Sequence, residues 1–182
     1  MFLGAGCTET APDVPNRTTE TTTSLEPAGQ EDSIDDNDFL NQAFAQLYDR
    51  VSELGFESLS QPELTVYLVL SLNEELQQGG IEYYFYRPAG NHADETAFAL
   101  EKIGAQDAAD RLRDSFAVFK TDSPPTVTEE RQSLLDTIDE SESQKLQELS
   151  TSLIDSLKEL ESLLSQHIEQ NNLQFDSDES NP

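Results

Sequence analysis

From residue 38 onward, apolar residues fall three and four positions apart, the period of a helix with one buried face. Phe39, Leu40, Phe44, Leu47, Tyr48, Val51 and Leu54 trace the first such stripe, behind an acidic start at 36–38 and ahead of Gly55, a natural stop. Residues 60–63, Ser-Gln-Pro-Glu, form a capping-box sequence with proline in the first turn, where a missing N–H costs nothing. The helix they open carries Leu64, Val66, Tyr67, Leu68, Val69, Leu70, Leu72 and Leu76, apolar nearly all round, which predicts the most buried helix of the domain. Residues 64–70 also fit a buried strand, but the cap and the polar continuation through 78 decide for helix.

Gly79 and Gly80 then interrupt. Gly79 is expected to end the helix at positive φ, and Gly80 to let the chain reverse against a neighbouring backbone with no Cβ in the way. Residues 81–87, with four aromatics, follow as a short helix whose rings fold back onto the core, and Pro88, Gly90 and Asn91 break it. The aromatic cluster reads as core plus turn, with a ligand pocket lined by tyrosines as the alternative. A helix starts at Asn91 or His92, buries Ala97, Leu100 and Ile103, and stops at Gly104; another spans 106–119 with Ala108, Ala109, Leu112, Phe116 and Phe119 inward. Residues 120–127, with Pro124 and Pro125, are a linker that no helix crosses. Thr126 to Glu130 read as a second capping box, opening a short helix through Leu134, Leu135 and Ile138 that residues 139–143 interrupt. Leu146, Leu149, Leu153, Leu157, Leu160, Leu164 and Ile168 then advance at about 3.67 residues per turn, predicting one long straight helix.

Charge changes the picture more than composition does. The 37 acidic residues face 10 basic ones, a formal net charge of −27. Residues 1–37 hold 8 acids and 1 base, 38–120 hold 14 and 6, and 121–182 hold 15 and 3, so the excess is global and densest at the C-terminal end. Such a field repels nucleic acid and anionic lipid and attracts basic proteins or cations. Direct nucleic-acid binding is excluded on this ground. The single cysteine, Cys7, follows small residues in Met-Phe-Leu-Gly-Ala-Gly, like the end of a bacterial lipoprotein signal, and the Thr/Glu/Pro tract behind it would serve as a tether. The charged start and full apolar stretch of such a signal are missing, and an unstructured N-terminus with an incidental thiol fits equally.

The stretch 72–90, followed by 99–112 and by 167–175, resembles the C-terminal-type domain of the DNA-mimic protein family, a domain of otherwise unknown function. Glu75, Gly79, Gly80, Tyr84, Phe85, Gly90, Ala99, Leu100, Ile103, Gly104, Ala105, Ile168, Asn171 and Phe175 carry the likeness. Gln78, Glu82, Arg87 with Pro88, and His167 depart from the family's usual residues. The resemblance implies an all-helical domain and a non-catalytic role, in which an acidic surface imitates duplex phosphates and occupies a basic regulator.

Mimicry needs carboxylates in rows on a rigid scaffold. The candidates are Glu74, Glu75 and Glu82 around the glycine break, and Asp136, Asp139, Glu140, Glu142 and Glu148 beyond the linker; Gly79, Gly80, Gly90 and Gly104 are the structural turns. A solvated acidic face, kept for solubility or a salty habitat, would give the same composition. The two histidines, His92 and His167, sit in no serine or cysteine motif, and abundant carboxylates nominate no general acid. No EF-hand or phosphate loop occurs, so no catalytic residue, metal or cofactor is expected. The sequence thus predicts an all-α fold: a single multi-helix domain of about six to seven helices over 38–175, a disordered leader at 1–37 and an acidic tail at 176–182. Its expected work is non-enzymatic binding to a basic protein, with a DNA-binding regulator as the sharper form of that expectation. The alternative is an envelope lipoprotein, held at the membrane only through a lipid on Cys7.

Overall fold

A computed structural model describes residues 36–121 and 123–175, all within one compact unit, Ser33–Pro182. Among these residues there are seven α-helices and no strand, as the hydrophobic period predicts. The expectations for the leader before Asp36, for Cys7 and for the tail at 176–182 fall outside the described residues.

Helix α1 (Asp36–Leu54) ends where Gly55 turns to φ 84, its N–H still reaching the Val51 carbonyl at 2.9 Å. Helix α2 (Gln61–Tyr86) starts at the expected cap. The Glu63 carboxylate accepts from the Ser60 N–H at 2.8 Å and the Ser60 hydroxyl at 2.7 Å, and takes Arg50 Nη2 of α1 at 2.6 Å. Burial pushes the Glu63 carboxyl upward, but the Ser60 and Arg50 contacts outweigh it and hold the group below the usual carboxylate range. Thr65, Val66, Leu68, Val69, Leu70, Leu72 and Leu76 are all buried, so α2 is the axis of the bundle, against which α1, α3, α5, α6 and α7 pack. Each fully buried aliphatic side chain there contributes about 1.5–3 kcal/mol.

The double glycine works differently from expectation. The helix is kinked at 79–80 and resumes at once, and the positive φ belongs to Gly80 (φ 75), while Gly79 leaves the helical region at φ −163 and ψ 17. At the kink the Ile81 N–H donates to the Ser150 hydroxyl, 69 residues further along the chain, at 3.0 Å. A Cβ on Gly80 would lie 2.7 Å from that same oxygen, so the glycine makes room for a side chain, not for a backbone. Of the rings beyond the kink, Tyr84 and Phe85 are fully buried, whereas Tyr86 is 40% exposed.

A 3₁₀ turn (Pro88–His92) leads to α3 (Ala93–Lys102), which closes on Gly104 (φ 89) with the Gly104 N–H on the Glu101 carbonyl and the Ala105 N–H on the Leu100 carbonyl, the paired bonds of a Schellman stop. The stretch expected as one helix over 106–119 is α4 (Gln106–Ser115) followed by a 3₁₀ turn (Phe116–Phe119). Helix α5 (Thr128–Leu135) lacks the expected capping box. Its first hydroxyl, on Thr128, donates to Asn91 Oδ1 at 2.8 Å and so ties the helix to the Pro88–His92 turn.

The long C-terminal helix is two, α6 (Glu140–Ser156) and α7 (Leu160–Gln170). Leu153, Leu157, Leu160 and Leu164 are buried on both sides of the break, so the hydrophobic stripe runs through it unaltered. What changes is the partner: α6 packs on α2 and α4, α7 on α1 and α2. Nor do residues 139–143 interrupt anything. Asp139 is the N-cap of α6, its Oδ1 accepting the Glu142 N–H at 2.9 Å while Glu142 Oε2 accepts the Asp139 N–H at 3.1 Å, a complete capping box.

Candidate functional site

The eight carboxylates expected from the sequence differ in burial and in partners. Glu82, Asp136, Asp139, Glu140 and Glu148 are exposed on α2, on α6 and in the turn before α6, elements held together by the packing of α2 on α5 and α6. Asp136 receives only a long contact from the Tyr86 hydroxyl, 3.4 Å, and Glu148 a 3.3 Å contact from Gln144. Glu142 is half-buried and pairs with Lys120 Nζ at 3.0 Å; the Asp139 N–H and then Lys120 hold its carboxyl below the usual range. Glu74 is exposed further back on α2, beside Gln78.

Glu75 departs from the rest. Its side chain is only 16% exposed and faces a cleft of about 350 Å³ between α1, α2 and the Pro88–His92 turn. Oε1 lies 3.8 Å from Arg87 Nε, beyond hydrogen-bond reach, and Oε2 is buried with no partner among the described residues. Burial pushes this carboxyl above the usual range, with Arg87 opposing the shift and Glu74 adding to it. A continuous chain of aromatic rings lines the same cleft. Tyr48 meets Phe44 (centroids 6.1 Å), Phe44 meets Tyr67 (5.8 Å), Tyr67 meets Phe56 edge-on (5.4 Å), and Phe56 lies against His92 (4.3 Å). Burial lowers the His92 pKa, so the imidazole is neutral at pH 7. A tyrosine-lined pocket therefore exists, but its tyrosines come from α1 and from the first half of α2, not from the 83–86 cluster.

Sequence reasoning missed Arg131 altogether. It is 0% exposed, and its guanidinium donates to three carbonyls: Nε to Phe85, Nη2 to Arg87 at 2.8 Å and Nη1 to Pro125 at 2.7 Å. Gln132 Nε2 adds a bond to the Tyr86 carbonyl at 2.8 Å. The orphan carbonyls at the end of α2 are thus closed by side chains of α5, with positive charge at the negative end of the helix. Gly90 is the fourth wall of this socket: a Cβ there would lie 2.8 Å from the Tyr84 carbonyl, 2.9 Å from Arg131 Nε and 3.0 Å from Phe85 Cα. No spacing in the sequence marks Arg131, because two of its three partners are backbone atoms more than forty residues away.

Among the described residues no cluster of three or more His, Cys, Asp or Glu is placed to hold a metal ion, and no helix is long and apolar enough to cross a membrane. A family model described as DMP19-like protein matches residues 57–171, which include both the Arg131 socket and the Glu75 side of the cleft. No curated protein and no solved structure matches the chain.

Proposed function

The chain belongs to the DMP19-like protein family, and we propose that it is a non-enzymatic binding protein whose acidic helical face occupies the DNA-contacting surface of a basic protein. One observation carries the reading: Glu82, Asp136, Asp139, Glu140 and Glu148 stand exposed on helices and at a cap, with no basic partner among the described residues. Most bases already have a partner or are buried. Arg50, Arg87, Arg113, Lys120 and Lys158 pair with other acids, and Arg131 is buried. Helix α6 itself carries a single base, Lys145.

Over the roughly 25 Å of α6, duplex DNA displays about 15 charges, of which a bound protein uses some 6–10. Helix α6 alone offers Glu140 and Glu148 free of a basic partner, because Glu142 pairs with Lys120 and Asp155 with Lys158, and these are too few. Glu82, Asp136 and Asp139 raise the unpaired set to five, close to that number, so the face needs α2, α5 and α6 held together.

The test is capture of a DNA-binding protein from a lysate of the native cells on immobilised protein. Duplex DNA should displace the captured protein, retention should fall roughly tenfold or more as salt rises from about 50 to 200 mM, and the combined variant Glu82→Lys, Glu140→Lys, Glu148→Lys should lose it. Capture indifferent to both DNA and charge reversal would overturn the proposal.

A further inference from the structure

We propose that the cleft beside Glu75 is a receptor for a single guanidinium group, the side chain of an arginine presented by the basic partner. The proposal rests on the reading of a basic partner, and adds a defined anchoring point outside the acidic face of α6.

Three independent features of the cleft converge on a cation. First, Glu75 Oε2 is withdrawn from water without a donor, a state that costs free energy unless something supplies one. A guanidinium carries five N–H donors in a plane and meets a carboxylate side-on. Second, the cleft is lined by an unbroken chain of rings from Tyr48 to His92, and aromatic rings attract a cation most strongly where it is desolvated. Third, the charges lining the cleft are Glu74 and Glu75 against Arg87 alone, with His92 neutral, so an anion would meet net repulsion. The cavity, about 350 Å³, is at the small end of the range for ligand sites and suits one side chain better than a cofactor.

Arg87 bears on the choice. It stands near the mouth of the cleft, half-exposed, with its guanidinium 5.7 Å from the Tyr83 ring and 3.8 Å from Glu75. At that distance it offsets part of the Glu75 charge without making the hydrogen bonds that an incoming guanidinium would make. It is a competitor, and its removal should favour the ligand.

The probe is N-acetyl-arginine methylamide, titrated into the full chain by NMR, with the uncharged isostere N-acetyl-citrulline methylamide as control. Saturable shifts at Tyr48, Tyr67, Glu75 and His92 are expected with the arginine probe and not with citrulline. Glu75→Gln should weaken the probe tenfold or more while the spectrum stays folded, and Arg87→Ala should tighten it a few-fold. Equal response to both probes, shifts confined to the α6 face, or an Arg87→Ala variant that binds more weakly would each overturn the assignment. Failure here is distinguishable from failure of the acidic face: the α6 reversal variant should still bind the probe, and Glu75→Gln should still be displaced from its partner by duplex DNA.

Discussion

Arg131 and Glu75 are both charged side chains drawn away from water, and their surroundings are opposite. Arg131 lies in a socket where Nε, Nη1 and Nη2 each have a carbonyl to donate to, at the end of a helix whose field favours a cation. Glu75 lies in an open-mouthed cleft where one oxygen has a distant guanidinium and the other has nothing. The first charge is fully engaged by the fold. The second is held at a cost that the fold alone does not offset, and this difference separates a structural residue from one kept available for a ligand.

If Arg131 is structural in this sense, its loss should give the largest effect of any single substitution in the bundle. Arg131→Met fills much of the same volume but strands the Phe85, Arg87 and Pro125 carbonyls, and about 3–5 kcal/mol should go. Arg131→Lys should recover little of it, because three rotating donors on one nitrogen cannot reach three carbonyls arranged around a planar fork. Urea denaturation of both variants checks this; a lysine variant as stable as the parent would show that charge, not geometry, holds the socket. Gly90→Ala attacks the same socket from its backbone side. Two of the three atoms that a Cβ would meet are backbone, which cannot swing aside, so a loss of roughly 2–3 kcal/mol is expected.

How far these features are legible in the sequence follows from what each depends on. The helical stripes, the Ser60–Glu63 cap and the stops at Gly55 and Gly104 are local, and local chemistry announces them. The break at 157–159 is invisible, because Leu153, Leu157, Leu160 and Leu164 keep one period through it while the helices they pack against change. Residues 139–143 mislead for a related reason: a run of acids looks like an interruption, whereas Asp139 and Glu142 bond each other's N–H groups as a cap. In the acidic set, residue type picks out carboxylates but not burial. Glu74 and Glu75 are neighbours and both border the cleft, yet the first is exposed and the second is largely withdrawn from water, since successive helix positions point about 100° apart.

The glycine kink lies on α2 between Glu75 and the carbonyls that Arg131 holds, and so fixes how the cleft and the socket are placed along that helix. Gly80→Ala would set an L residue at φ 75 and bring its Cβ to 2.7 Å from Ser150 Oγ, the acceptor of the Ile81 N–H. Strain and a displaced hydroxyl together should cost about 1–3 kcal/mol. Ser150→Ala, which leaves the backbone unstrained but removes the acceptor, should cost about 1–2 kcal/mol. Equal losses in thermal melts would mean that the hydroxyl contact, and not the left-handed backbone, accounts for the glycine.

The smallest effect is the most informative, because its sign is opposite. The Glu75 carboxyl is raised by burial above its unfolded value, so between the two values the folded chain holds the extra proton. Stability therefore falls as pH rises through that interval, because ionising the carboxyl puts a charge where burial opposes it. Glu75→Gln removes the charge and keeps the shape, and Arg87, half-exposed, loses little when its 3.8 Å partner becomes neutral. The variant should melt roughly 1–3 °C higher than the parent at pH 7, with the advantage shrinking as pH drops into the ordinary glutamate range. A lower melting temperature at pH 7 would make Glu75 a structural partner of Arg87, placing it beside Arg131 and removing the contrast. A higher one, combined with loss of the arginine probe, fits a carboxylate whose stability cost is retained for binding.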